Sequence, residues 1–422
     1  MNLPDKLTLV CTSTEATTTS KNNSNKFHKW EKLPNGNYTH TYGRVGDPGV
    51  SHEVAPAKMQ AKMKDALRNG YKEVNIAGSE PVTSSAPKGS ATAKTAVEEI
   101  AKGDPVITKL VEFLSAQNVH NISQSTTLKY DAVSGLFSTP LGIVSQDSID
   151  EARTLLATAQ EQVVRAEKQG WGFVDNKVAT DYLMLIPTDI GRDRPTFQRI
   201  FPDLDAVQKQ NDILESLEGS LTMAAKQVVS KKAKAAPAPR VWDITVKKID
   251  DKTEIERIRT KFRKTHEYGQ PRFDVRNVYD VSINHMKKAF DSVGKKIGGI
   301  EEMWHGTSVG NVLSIFAKGL IIPSQYSNGR NFGNGVYASR QSHKSLQYAG
   351  TFRSATRSSC YMFLVEVAMG KNFIPKSRVQ NPPAGYDSMD VIPGSAGGWP
   401  HHEAIVYKTA QTNVVRLIEF AA

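Results

Sequence analysis

The residues best suited to chemistry stand in four ordered blocks near the C-terminal end of the sequence. They are Trp304-His305-Gly306, then Phe332-Gly333-Asn334-Gly335-Val336-Tyr337, then Lys344-Ser345-Leu346-Gln347-Tyr348, then Glu403-Ala404-Ile405-Val406-Tyr407. Together they offer one carboxylate, an imidazole, several phenols and a hydroxyl. A single carboxylate can stabilise a developing positive charge, and aromatic rings can hold a flat ligand. Ordinary glycoside hydrolysis is a poor fit, since it needs two carboxylates. Taken singly, each residue has a plainer reading: a lone histidine is usually core or surface, and Tyr337 beside Val336 suits strand packing. His401-His402-Glu403 lacks the further ligand spacing of a metal site. Gly333-Asn334-Gly335 is not a dinucleotide fingerprint, because a strand rather than a helix follows it.

These blocks need elements to hold them. YMFLVEVAMG, EAIVYK and VVRLIEF read as strands, while NVLSIFAKGL and SHKSLQYAG read as helical turns. The middle of the chain is helical in pattern: Val106, Ile107, Leu110, Val111 and Leu114 recur at helix spacing. Ser145 is placed to cap a long run without proline or glycine, and DAVQKQNDILESLEGSLTMAAKQVV is a further such run. Toward the N-terminus, LTLVCT, KFHKWEKL and NYTHTYGRVG carry β-formers, with PNGN as a tight turn. A helix follows, with Met59, Met63, Ala66 and Leu67 on one face and Gly70 as its stop. Residues 78–103 and 231–240 are rich in small residues, lysine or proline and read as linkers. The expected organisation is a sheet-plus-helix domain at 1–77, a helical domain at 104–230 and a mixed domain at 241–422.

Charge follows the same division. The net charge of +11 is distributed as +5 over residues 1–95, −7 over 96–230 and +13 over 231–422. The basic ends can attract polyanions, and the acidic middle repels them. No stretch of the 422 residues has the apolar length of a membrane span, and the first twenty do not read as a secretory signal. Cys11 and Cys360 are too few for a disulfide framework or a cysteine-rich zinc site. An intracellular, reduced chain without metal or membrane partner is expected.

The four blocks, in this order, resemble the catalytic domain of the poly(ADP-ribose) polymerase (PARP) family. Upstream, STPLGIVSQDSIDEARTLL and YLMLIPTDIG resemble the helical regulatory, autoinhibitory domain of that family. NSNKFHKWEKL, NYTHTYGRVG and the Gly70-Tyr71 ending resemble its DNA-sensing WGR domain. The implied fold is multidomain α+β: a WGR-like sheet with one helix, an all-α bundle, and a mixed α/β ADP-ribosyltransferase domain built on antiparallel sheets. The implied substrate is NAD+, whose nicotinamide leaves from a cationic nitrogen and needs no general acid. By resemblance Glu403 stabilises the oxocarbenium-like centre and orients the acceptor, with His305 and Tyr337 completing the catalytic set. His305 and Asn311 would meet the adenosine ribose, Gly306 and Ser345 the carboxamide, and Tyr348 would stack on the nicotinamide. Glycine is expected at 306 because a Cβ would crowd that ring.

Some positions depart from the family pattern. Tyr42 replaces the tryptophan of WGR, while Gly43, Arg44, Val45 and Gly46 remain, so Tyr42 and Arg44 are the candidate DNA contacts. Ile321, Arg340 and Asn334 stand where arginine, aspartate and lysine are favoured, and the loop 323–331 is short. These changes bear on NAD+ affinity and on chain length. The expected function is a DNA-break-stimulated transferase acting on itself and other proteins in the DNA damage response, building poly(ADP-ribose), with an accessory factor as a further partner. Nuclear residence follows in a eukaryotic host, cytoplasm or nucleoid in a bacterial or viral one. The alternatives are a mono-ADP-ribosyltransferase or NAD glycohydrolase independent of DNA, and an inactive DNA-binding scaffold.

Overall fold

The structure, a computed structural model, describes residues 3–13, 24–44, 49–73, 91–131, 136–139, 142–188, 196–232, 240–267, 269, 271–322, 331–349 and 359–421. Val45-Gly46, the early part of the first expected linker, residues 233–239 of the second, and loop residues 323–330 lie outside these. The chain divides into two units, Met1–Lys88 with His120–Leu221, and Gly89–Val119 with Thr222–Ala422. Among the described residues no helix is long and apolar enough to cross a membrane.

The first unit opens with an antiparallel sheet of β1 (Lys6–Ser13), β2 (Ser24–Lys32), β3 (Tyr38–Arg44), β4 (Val50–Val54) and β5 (Lys72–Glu73), in the order β4-β3-β2-β1-β5. Alternation puts Leu7, Leu9, Trp30 and Tyr38 into a core closed by Met59 and Ala66 of the helix Pro56–Arg68. The PNGN turn forms as expected, with Gly36 at φ 85° and its N–H donating to the Leu33 carbonyl at 2.9 Å. The unit continues through the short sheet β6 (Lys129–Tyr130), β7 (Phe137–Thr139) and β8 (Gly142–Ile143). Its long helix Gln146–Gln169 is capped by Ser145, whose Oγ accepts from the Ser148 N–H at 3.2 Å. Buried Arg153 on that helix meets Glu218 at 2.8 Å, so the apolar seam of Ile149, Leu156 and Val163 also carries an answered charge.

The second unit holds two sheets. One contains β9 (Ile244–Lys248), β10 (Asp274–Ile283), β11 (Ile300–Gly306), β13 (Ser359–Ala368) and β17 (Thr412–Ala421), ordered β11-β13-β17-β10-β9 and antiparallel throughout. The other contains β12 (Val336–Ala338), β14 (Asn372–Phe373), β15 (Ser388–Val391) and β16 (Glu403–Val406), ordered β12-β16-β15-β14. Reciprocal bonds between Trp304 and Ser339, at 2.8 and 2.9 Å, tie one sheet to the other.

The core of this unit reaches back into the expected linker 78–103. Residues 91–101 of that stretch are helical and bury Ala96, Ile100 and Ala101 together with Ile107, Leu110, Val111 and Leu114 against the strands. Small residues gave the stretch a linker composition, but Ala96, Val97, Ile100 and Ala101 keep helix spacing and an apolar face. Glu99 fastens it by accepting the Trp242 N–H at 2.7 Å.

Candidate active site

Strands β11, β12 and β16 and the helix Ser342–Tyr348 bring the chemically able residues together. His305 and Gly306 end β11, which pairs with β13. The Nδ1 of His305 lies 2.8 Å from the Tyr337 carbonyl on β12. Since a carbonyl only accepts, Nδ1 carries the proton of that bond. Tyr337 pairs with Ile405 of β16, which sets β12 beside the strand that begins at Glu403. The phenol of Tyr337 braces the preceding turn, donating to the Gly333 carbonyl at 2.8 Å and accepting the Phe332 N–H at 3.0 Å.

The helix Ser342–Tyr348 crosses β11 at very close range. Ser345 Oγ donates to the Trp304 carbonyl at 3.0 Å, so toward a ligand this hydroxyl is committed to accepting. A Cβ on Gly306 would fall 1.7 Å from the Ser345 carbonyl oxygen. Glycine at 306 is therefore required by the approach of the helix backbone, and the reason expected from sequence, crowding of a ligand ring, is not the one the structure displays. Asn311 is buried in the turn Val309–Asn311 that follows β11.

Glu403 is 3% exposed, and its two oxygens are treated differently. Oε1 pairs with Lys344 Nζ at 2.9 Å, while buried Oε2 has no hydrogen-bond partner among the described residues. Lys344 also donates to the Tyr348 hydroxyl at 3.1 Å. Burial alone would lower the lysine's pKa, but Tyr348 and Glu403 together hold it above its ordinary value. The ammonium is thus kept charged between the carboxylate and the phenol. In the sequence pattern Lys344 carries no role; only its spacing of four from Tyr348 points to one.

The side chains of residues 401–403 point to different partners. His402 Nε2 faces Asp390 at 2.9 Å and its Nδ1 accepts the Arg340 N–H at 2.9 Å, whereas Glu403 turns to Lys344. His401 packs against His343, and burial, Lys344 and His343 push its pKa down to about 4. Among the described residues no group of three or more histidine, cysteine or acidic side chains could hold a metal ion.

Arg340 is the second residue whose partners were not legible. Its guanidinium is bidentate on Glu301, at 2.7 and 2.8 Å, and on Asp390, at 2.8 and 3.2 Å. An arginine at this position ties β11 to β15, the strand that pairs with β16. Ile321 is exposed.

Tyr42 and Arg44 lie on β3 of the first unit. Tyr42 is 37% exposed and ends a stack of His40, His28 and Trp30, with His52 edge-on at 5.5 Å. Lys62 Nζ stands 5.6 Å from its ring centroid. Arg44, opposite Lys26, closes the strand.

Comparison with known proteins adds two family models. Residues 252–392 match the poly(ADP-ribose) polymerase catalytic domain, and residues 102–241 match the poly(ADP-ribose) polymerase regulatory domain. The catalytic match includes His305, Tyr337 and Tyr348 and ends before Glu403. The chain is similar to protein mono-ADP-ribosyltransferase PARP3 of Mus musculus, 25% identical over 87% of this chain and 74% of that protein. The Homo sapiens protein of the same name is 24% identical over 88% and 74%. Protein mono-ADP-ribosyltransferase PARP4 of Mus musculus is 21% identical over 67% of this chain and 14% of its own length.

Proposed function

The chain belongs to the poly(ADP-ribose) polymerase family of ADP-ribosyltransferases, with NAD+ as substrate, and from that premise we propose a DNA-stimulated transferase that modifies proteins, itself included. The observation that carries the catalytic part is the divided carboxylate of Glu403. One oxygen is pinned by Lys344 and the other is buried without a partner among the described residues, as a ribose hydroxyl would require. In the proposed reaction the bond from ribose C1′ to the nicotinamide nitrogen breaks, and the electron pair leaves with nicotinamide. Glu403 stabilises the positive charge left on the ribose and hydrogen-bonds its hydroxyl. The acceptor oxygen or nitrogen then attacks C1′ and releases its proton. His305 holds the adenosine side through Nε2, with Asn311 beside it; Ser345 and the Gly306 backbone hold the carboxamide, and Tyr348 stacks on the ring. Tyr337 fixes the orientation of the His305 ring through its carbonyl.

DNA ends or nicks are the proposed activator. Support comes from the exposed Tyr42 at the end of its stack, with Lys62 close by, and from Arg44 on the same strand. The regulatory region restricts NAD+ until DNA shifts that equilibrium, and the setting is the DNA damage response, in the nucleus of a eukaryotic host. Glu403 allows chain elongation; a second reading, transfer of single units, is favoured by the names of the relatives that cover most of the chain.

Incubation with labelled NAD+, with and without nicked or blunt-ended duplex, tests all of this. Protein-bound label that rises with DNA is expected, as a ladder for polymer or one sharp band for single units. Free ADP-ribose alone would identify a hydrolase, and no consumption of NAD+ an inactive scaffold.

A further inference from the structure

Glu403 opens strand β16, and the first residue of a strand is held only as well as the peptide before it. The ladder from β12 ends at Ala338 opposite Ala404, and that from β15 ends at Val391 opposite Glu403. His402 stands outside both ladders, and side chains take over there. The Oε1 of Gln341 accepts the His402 N–H at 2.7 Å, and the Oγ of Ser339 donates to the His402 carbonyl at 2.7 Å. Ser339 Oγ in turn accepts the Gln341 N–H at 3.0 Å. Gln341, Ser339 and His402 are each 3% exposed or less, so these bonds are shielded from solvent.

The amide of Gln341 can stand only one way round. Its Nε2 donates to the Glu267 carboxylate, in the segment after the helix Lys252–Lys264, which leaves Oε1 for His402. Gln341 directly precedes the helix Ser342–Tyr348 but makes no side-chain cap bond to it. The helix that carries Lys344, Ser345 and Tyr348 therefore does not need this side chain for its start. A buried amide costs desolvation that an apolar side chain of the same length would not, and what it supplies here is the hold on His402.

We propose that Gln341 is a positioning residue, which sets the direction of the Glu403 carboxylate by fixing the peptide from which that residue starts, with Ser339 as its brace. This rests on the role proposed above for Glu403. A reacting group misplaced by about 1 Å can lose on the order of 10² in rate, so loss of the Gln341 bond should appear in kcat. NAD+ binding, assigned above to other residues, should be spared.

Steady-state kinetics of four proteins test this: wild type, Gln341→Met, Glu403→Gln and the double variant. Gln341→Met keeps the side-chain length and removes both amide bonds; kcat should fall about tenfold or more, with KM for NAD+ within about twofold of wild type. Added to Glu403→Gln, the same substitution should cost no further activity, because the group it positions has already lost its charge. A loss of merely structural origin would lower the rate by the same factor in both backgrounds, and that result would overturn the proposal. So would wild-type kcat in Gln341→Met. Wild-type turnover in Glu403→Gln would overturn the role of Glu403 itself and this proposal with it. The exchange of Gln341→Glu with Glu267→Gln keeps an acceptor for the His402 N–H and a donor opposite it. It should turn over faster than Gln341→Glu alone, in which two carboxylates meet. This comparison decides the matter where Gln341→Met does not fold, and an exchange no faster than the single variant would overturn the proposal.

Discussion

A carboxylate buried as deeply as that of Glu403 keeps its charge in reach of chemistry only if something answers it, and Lys344 answers one oxygen. Replacing Glu403 with Gln keeps the shape and removes the charge. It should lower turnover ~10²–10³-fold, the loss expected for one well-placed electrostatic stabiliser, and leave NAD+ binding largely intact. Steady-state rates and NAD+ titration check this, and undiminished turnover would remove Glu403 from the chemistry. Lys344→Met has a different signature. It strands a buried carboxylate, so about 3 kcal/mol of stability should go, or ~6–12 °C in thermal midpoint for a unit of this size. Activity should fall as well, and Lys344→Arg should restore part of both. A thermal midpoint unchanged in Lys344→Met would show that the pair contributes nothing. The strand that Glu403 opens was legible from the pattern of its block. The carboxylate's partner was not, since nothing in a linear pattern says that a lysine meets a carboxylate 59 positions later. Gly306 was legible as an obligatory glycine but for another cause, the Ser345 carbonyl brought in by a separate helix.

Elements differ in how they store charge, and the two sheet systems should therefore fail at different acidities. In the β2–β3–β4 sheet, His28 Nδ1 meets His40 Nε2 at 2.8 Å and His40 Nδ1 meets His52 Nε2 at 3.4 Å. Burial, with Lys62 nearby, pushes His28 down to about 4; burial, His28 and Lys62 push His40 to about 3. Both stay neutral in the folded sheet while the unfolded chain takes up protons near pH 6.5. Their stabilising contribution is present above that pH and is lost progressively as pH falls toward 4 and then 3. Asp390 behaves later in the titration. Burial would raise its pKa, but His402 and Arg340 outweigh this and hold it at about 2. Its contribution is complete above the ordinary carboxylate range and disappears only as pH approaches 2. Hydrogen exchange, corrected for intrinsic rates, should show β2–β4 losing protection between pH 6 and 4 while β15 and β16 keep theirs. Simultaneous loss in both would refute the neutral histidine stack. Neither network could be read in advance, because His28, His40 and His52 become neighbours only once the strand register is set. The strands themselves were legible from alternation, and the turn from PNGN. The helix 91–101 was not, since its small-residue composition matched a linker until its buried face was seen.

At the scale of the whole molecule, charge separates regions that favour a polyanion from one that repels it. The basic terminal regions, at +5 and +13, flank a middle of −7, so a polyanion has reason to engage the ends and avoid the helical region. If activation runs through the first sheet, its dependence on salt should report how many phosphates that sheet neutralises, because each one releases condensed counterions. Arg44 is expected to make one such contact. Arg44→Ala should raise the duplex concentration needed for half-maximal stimulation and reduce the slope of log affinity against log salt by about one. Tyr42→Ala should raise that concentration with little change in slope, since an uncharged ring releases no counterion. Basal NAD+ turnover without DNA should be the same in all three proteins, because neither residue belongs to the Glu403 cluster. Activation curves for blunt duplex at several salt concentrations decide the matter. An Arg44→Ala curve that overlays the wild type at every salt concentration would place the DNA contact elsewhere. The +13 region of residues 231–422 would then be the first place to look for it.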